Sequence, residues 1–303
     1  MEYVNCNLCG ADDTELMYPS TLSRRDVSPT STHFVCTSDA YGIHPPIVRC
    51  RQCGLVYANP RRGADEVIDE YTAVADPVYL KERKGRVMTF RRRLDHLGSR
   101  IGMNGQRRLL DIGCHIGLFL EAAAARGWDA WGVEPSQWAV AQARERDLQV
   151  IQGTLAESSL PHSHFDLVTL WDVIEHFSDP MSELRRIAGI VRPGGWICTH
   201  TMDVGSLFAR VMGRRWPWLM EMHLYYFSRA TLAAMLQRAG FRVVDVSARG
   251  RVLRLEYVVS RLAPYSAGLV GPMSWAIQTL GLAEWLIPVN FGDLFTVYAR
   301  KEP

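Results

Sequence analysis

From residue 107 onward the chain alternates short apolar runs with helix-length stretches, and this alternation restricts its fold more than any other feature. RLLDIG, DAWGVEP, QVIQGT, FDLVTLWDV, GWICTHTM, FRVVDVS and GDLFTVYARK read as strands. GLFLEAAAARG, SQWAVAQARERD, DPMSELRRIAGIVRPGG and SRATLAAMLQRAG read as helices, with Ser136 and Ser228 at capping positions and Gly127 and the Pro193-Gly194-Gly195 run as stops. Such a pattern predicts an α/β doubly wound, mostly parallel sheet with right-handed crossovers. Ligands in these sheets lie at the carboxyl ends of the strands, which here means just after Asp111, Glu134, Gly153 and Trp171.

The rest of the 303 residues divides around that unit. Residues 1–60 are polar and cysteine-rich and too small to fold on an apolar core alone. Residues 61–104 read as a basic helical connector, with Tyr79, Leu80, Val87, Met88, Leu94, Leu97 and Ile101 at helical spacing, and 105–303 as the α/β domain. A helical insertion over about 251–291 precedes the last strand. Its longest uncharged stretch, Leu262 to Ala283, carries Pro264, Gly268, Gly271, Pro272 and Gly281 and is read as not transmembrane. The start, MEYVNCNLCG, has no basic segment followed by an apolar one, so a reducing cytoplasm is expected, where cysteines serve as ligands or core residues. A formal net charge of +2 decides nothing about partners.

The first strand runs into DIGCHIG. A dinucleotide fingerprint would require glycine at 115 and 118, where the chain has His115 and Leu118. What remains is an acidic residue followed by Gly113 and Gly117, with Glu134 ending the next strand. With LLDIGCHIG, GVEPS, FDLVTLWDVIEHFSDP and IVRPGGWI in this order, residues 105–245 resemble the class I S-adenosylmethionine-dependent methyltransferases, which have a Rossmann-like sheet. The resemblance implies S-adenosyl-L-methionine as cofactor. Its methionine end would meet Asp111 and the Gly113–Cys114–Gly117 turn, where a helix N-terminus favours a carboxylate. Glu134 can accept both ribose hydroxyls, Gly153 and Thr154 would flank the adenine, and Pro135, Trp171 and Asp172 would complete the cofactor wall. For His115 two placements are open: a Cβ turned away from the cofactor on an ordinary negative φ, or a ring facing the pocket.

Methyl transfer from a sulfonium is an in-line displacement that depends mainly on alignment, with a base needed for a hydroxyl acceptor. His176 in WDVIEHFSDP is the first base candidate, His223 in EMHLYYFS the second, and His200 with Asp203 the third; each could equally brace its loop. The nearby Trp171, Phe177, Trp216, Trp218, Tyr225, Tyr226 and Phe227 are expected to be mostly core.

Cys6-Asn7-Leu8-Cys9 and Cys50-Arg51-Gln52-Cys53 are each followed by glycine, the form of two knuckles that close a tetrahedral thiolate site. Four thiolates predict a structural Zn2+, with His33, Cys36 and His44 in the intervening loop as substitute ligands or bystanders. RCRQCGLVYANPR is similar to zinc-ribbon-bearing methyltransferases among sugar and natural-product tailoring enzymes, and that resemblance implies a small hydroxylated acceptor, a sugar or sugar-containing metabolite. Ten Lys or Arg between Lys81 and Arg108 suit a solvated helix face or a phosphate-bearing acceptor. RNA methylation, and an inactive zinc-ribbon scaffold, are the competing readings. The insertion is expected to pack on the domain or on a homodimer partner rather than on a membrane.

Overall fold

A computed structural model describes residues 1–22, 34–100 and 107–302. His33 and Ile101 lie outside these. The N-terminal segment forms β1 (Thr14–Tyr18), β2 (Ile47–Cys50) and β3 (Val56–Ala58), three short strands that the sequence reading did not anticipate. The connector is three helices, not one: α1 (Ala64–Thr72), α2 (Pro77–Lys81) and α3 (Arg83–Arg100). Asp76 starts α2 by accepting from the Tyr79 amide and by bonding Thr37 across the chain.

Then follow β4 (Arg108–Ile112), α4 (Leu118–Ala124), β5 (Asp129–Glu134), α5 (Gln137–Arg144), β6 (Gln149–Gln152), β7 (Phe165–Trp171), α6 (Pro180–Ile190), β8 (Val191–Met202), α7 (Leu207–Met212), the two-residue β9 (Tyr225–Tyr226), α8 (Arg229–Arg238) and β10 (Phe241–Ala248). Ser136, Asp179 and Ser228 cap α5, α6 and α8 through their side chains. Helix α6 ends at Ile190, before the Pro-Gly-Gly run expected to stop it, because Val191 already turns extended. Lys301 Nζ donates to the Ala188 and Val191 carbonyls at 2.6 and 2.8 Å, satisfying groups that the helix end leaves open.

The insertion departs from the helical expectation at both ends. It opens with β11 (Arg251–Arg254), continues through α9 (Leu255–Ser260) and α10 (Ala263–Thr279), and closes with β12 (Leu286–Val289), which pairs antiparallel with β11. The base of this ribbon lies on α3: the Val252 amide donates to Thr89 Oγ1 at 2.8 Å, and Arg254 pairs with the buried Glu82 at 2.8 Å. Gly85 permits the approach, since a Cβ there would stand 2.6 Å from the Val252 carbonyl oxygen. No residue of α10 is buried.

The last strand, β13 (Leu294–Lys301), enters the sheet antiparallel between β8 and β10. The seven-stranded order is β10-β13-β8-β7-β4-β5-β6, with β8, β7, β4, β5 and β6 parallel. This is the doubly wound, mostly parallel Rossmann-like sheet that the alternation predicts. One apolar layer joins its face to α6 and α8, and the other joins the opposite face to α2, α3, α4 and α5. The N-terminal segment is continuous with the first layer, and β3 pairs with β9 to give a second sheet of order β1-β2-β3-β9. Among the described residues no helix is long and apolar enough to cross a membrane.

Candidate active site at the carboxyl ends of the parallel strands

The chain winds from β4 outward to β6 and then returns to place β7 on the other side of β4, so the winding direction switches between β4 and β7. The loops after these two strands bound the crevice where such folds take ligands. Asp111 in β4 is buried and accepts from Thr169 Oγ1 at 2.6 Å, and burial pushes its carboxyl up to about 8. Gly113 and Gly117 both have positive φ, +67° and +77°, and a Cβ on Gly113 would lie 2.6 Å from the Val173 side chain.

Glu134 closes the other side of this turn. It is fully buried at the end of β5, with Oε2 accepting from the His115 amide and Oε1 from the Ser136 amide, both at 2.8 Å. Burial raises its pKa to about 7, while the two amides and the Tyr71 hydroxyl oppose the rise. Gly153, with φ +128°, donates its amide to the Glu134 carbonyl at 3.0 Å, and Thr154 bonds Glu157. The structure therefore brings Asp111, Gly113, Cys114, Gly117, Glu134, Pro135, Gly153 and Thr154 onto neighbouring strand ends.

His115 resolves the question left by DIGCHIG. Its φ is +49°, so the backbone is left-handed and the ordinary negative φ does not occur. The ring turns inward, 3.9 Å between centroids from Tyr79, and its buried Nδ1 has no hydrogen-bond partner. Burial and the nearby Arg86 push the imidazole down to about 3.

Across the switch point, Trp171 ends β7 against Phe119, and Asp172 follows in a left-handed conformation, φ +59°. Burial would raise the Asp172 carboxyl, but Arg251 at 2.6 Å, His200 at 3.8 Å and Arg93 outweigh it and hold the group down at about 2. The sequence reading missed Arg86 and Arg93. Two turns apart on α3, they leave the basic run's exposed face and point inward: Arg86 lies 3.7 Å over the Tyr79 ring, and the buried Arg93 4.5 Å over Trp171. Burial lowers Arg93 to about 10, and its Nε has no hydrogen-bond partner. Their spacing with the apolar Phe90 and Leu97 was the available signal.

His176 and His223, weighed separately as bases, stand together with ring centroids 5.0 Å apart. Nδ1 of His176 is 2.8 Å from the Met222 carbonyl and Nδ1 of His223 2.7 Å from that of Trp218. Burial lowers both, His223 to about 3 with help from His176. Glu175, fully enclosed beside them, accepts from Thr201 Oγ1 at 2.9 Å, and burial with the nearby Asp172 pushes it up to about 8. Of the third candidates, His200 bonds Thr296, and Asp203 pairs with Arg229 and holds the Gly205 amide. Most of the aromatic group is core, with Trp216 and Trp218 both donating to Asp293.

In the N-terminal unit, the thiols of Cys6, Cys9, Cys50 and Cys53 all lie within 4.8 Å of one another, with Cys6–Cys53 at 3.4 Å and Cys9–Cys50 at 3.5 Å. Thiolates bound tetrahedrally at ~2.3 Å from zinc would stand about 3.8 Å apart. The four residues fit that geometry. Gly10 and Gly54 take positive φ just after each pair and turn their amides back to the Cys6 and Cys50 carbonyls. His44 is engaged elsewhere, with Pro45 and Tyr18, and Cys36 lies beside Asp76 and His115, so neither joins the cluster.

A family model described as a methyltransferase domain matches residues 79–246, more than half of the chain. The ubiquinone biosynthesis O-methyltransferase of Aeromonas salmonicida is 34% identical over 169 residues, which cover 51% of this chain and 71% of that protein. The protein of the same name from Escherichia coli O157:H7 is 34% identical over 118 residues, and there the match spans 49% of the relative. A SAM-dependent methyltransferase from Archaeoglobus fulgidus shares the fold with a TM-score of 0.51 at 22% identity, over 75% of this chain and all of that one. A chain from the complex of the Haloferax volcanii Trm112 methyltransferase activator with a putative methyltransferase gives a TM-score of 0.52 at 16% identity, over 73% and 93%. With the glycine turn, the buried strand-end glutamate and the strand order already in place, the chain belongs to the class I S-adenosylmethionine-dependent methyltransferases.

Proposed function

We propose that the protein transfers the methyl group of S-adenosylmethionine to a ring hydroxyl of a hydroxylated aromatic acceptor, and that the four N-terminal cysteines hold a structural zinc ion. The relatives' shared name supports chemistry at oxygen in the making of a quinone, and this favours an aromatic hydroxyl over the sugar hydroxyl expected from the ribbon resemblance. The zinc ribbon stabilises an N-terminal segment with little core of its own.

The observation that carries the reading is Glu134. Two main-chain amides fix its carboxylate, and the lone pairs beside them, one of which the Tyr71 hydroxyl takes here, suit ribose hydroxyls. The methionine end of the cofactor falls to the Gly113–Gly117 turn and to Arg93, a buried cation suited to a carboxylate. Alignment of sulfonium and acceptor supplies most of the rate, about 7–11 kcal/mol where the geometry is good. His176 and His223 stand beyond Asp172 and supply unprotonated nitrogen to the acceptor side.

Titration calorimetry with S-adenosylhomocysteine tests the assignment. Ribose hydroxyls donate to the ionised form of Glu134, so binding lowers a pKa that stands near 7 in the free protein. Protons are therefore expelled on binding below that pH, and affinity rises with pH until about 7 and then levels. The expected change from pH 6 to pH 8 is about tenfold, with proton release seen as a dependence of heat on buffer ionisation enthalpy. Absence of binding, or affinity that falls over this range, counts against the assignment.

A further inference from the structure

The histidine pair does not stand alone, and its surroundings fit a metal ion better than a single proton carrier. One ligand atom each from Glu175, His176 and His223 lies within 4.8 Å of the others, in a pocket where Glu175 is 1% and His223 4% exposed. Both imidazoles place Nδ1 on a main-chain carbonyl, at 2.8 Å from Met222 and 2.7 Å from Trp218. Nδ1 is then the donor, and the lone pair is at Nε2 in both rings. This outer hydrogen bond to a carbonyl is how metal-binding histidines are oriented and made more basic. The carboxylate is oriented too, by Thr201 Oγ1 at 2.9 Å, while the Leu224 amide holds the Glu175 carbonyl at 2.9 Å. Main-chain contacts at Met222 and Leu224 thus lock the loop after β7 to the segment before β9.

We infer that Glu175, His176 and His223 bind one divalent transition-metal ion, distinct from the zinc of the cysteine cluster, which takes the acceptor hydroxyl as a further ligand. Two imidazoles and a carboxylate suit zinc, manganese or iron(II), and three protein ligands leave positions open. This deepens the reading of O-methyl transfer and rests on it. On the metal, the acceptor O–H ionises at neutral pH and its proton passes to solvent water. The bound oxygen then attacks the sulfonium methyl: a C–O bond forms, the methyl C–S bond breaks, and its electron pair stays on sulfur as S-adenosylhomocysteine. A hydroxyl with a second oxygen on the adjacent ring carbon could chelate through both atoms, which makes ortho-dihydroxy aromatics the preferred acceptors.

The test uses the full chain with its cysteine zinc in place, titrated with Mn2+, a hard ion that thiolates do not favour, and read by electron paramagnetic resonance and calorimetry. One Mn2+ is expected per chain, with binding weakened more than about tenfold in His223→Gln and in Glu175→Gln. Retained S-adenosylhomocysteine binding certifies that each variant is folded. Metal analysis of zinc-reconstituted protein is expected to give two equivalents in the wild type and one in either variant. The inference is overturned if the wild type takes up no metal beyond the cysteine equivalent, or if the second equivalent survives in both variants. Methyl transfer to an aromatic hydroxyl with the histidine site empty would remove the metal and leave the O-methylation reading intact.

Discussion

Glu134→Ala is expected to abolish S-adenosylhomocysteine binding while the protein remains folded. Charge-assisted hydrogen bonds contribute about 1.5–3 kcal/mol each, and two ribose hydroxyls would lose both of theirs, a weakening of about 10²- to 10⁴-fold. The same substitution releases the His115 amide, and with it the turn that presents Gly113 and Gly117 to the methionine end. The fold should tolerate the change at neutral and alkaline pH. A carboxyl whose folded pKa is raised contributes stability that is present below its unfolded pKa and lost as pH rises through the folded value, here about 7. Above pH 7 an alanine therefore removes a buried charge rather than a stabilising one. Calorimetry at pH 8 together with a thermal melt reads both quantities. Unchanged affinity in a folded variant would show that the ribose lies elsewhere.

Removing zinc from the cysteine cluster should unfold the N-terminal segment and damage the acceptor side more than the cofactor side. Structural zinc sites contribute about 10–16 kcal/mol of apparent binding energy, more than a small polar segment can replace from its core. The effect reaches beyond the ribbon because β3 pairs with β9, the strand that follows His223, and because Arg61 bonds both Tyr225 and the Ser178 carbonyl. The cofactor contacts proposed at the ends of β4, β5 and β6 come from the other side of the switch point. Hydrogen exchange after chelation or in Cys50→Ser is expected to show lost protection over residues 1–60 and around Tyr225–Tyr226. Methyl transfer should fall steeply, with S-adenosylhomocysteine affinity changing less than about tenfold. Full protection of the ribbon without metal would refute the zinc assignment.

Much of this was legible in the sequence because strands buried between helix layers must be apolar and about equally spaced. The parallel strands, the glycine turn, Glu134 and the four cysteines announced themselves through local composition. Other parts were not local. Strands β1, β2, β3 and β9 are only two to five residues long and owe their existence to pairing with one another. The insertion begins and ends in strands because β11 is held on α3 through Thr89 and Glu82, contacts between residues far apart in the chain. Arg86 and Arg93 were hidden in a run in which Lys81, Arg83, Lys84, Arg91 and Arg92 face solvent. His176 and His223 read as rivals because nothing in the sequence shows that the loop after β7 folds against the segment before β9. His115 read as an oddity until its left-handed backbone showed that it occupies a glycine-like position with its ring on Tyr79.

The most direct test of the account is product analysis with methyl-labelled S-adenosylmethionine. The full chain is incubated with hydroxylated aromatics, ortho-dihydroxy compounds among them, in parallel with nucleotide-linked sugars and RNA, and the label is followed by mass spectrometry. The account predicts labelled methyl ethers of the aromatic acceptors with stoichiometric S-adenosylhomocysteine, and no label in sugars or RNA. Label in a sugar or in RNA, or cofactor binding without a labelled product from any acceptor, would contradict it.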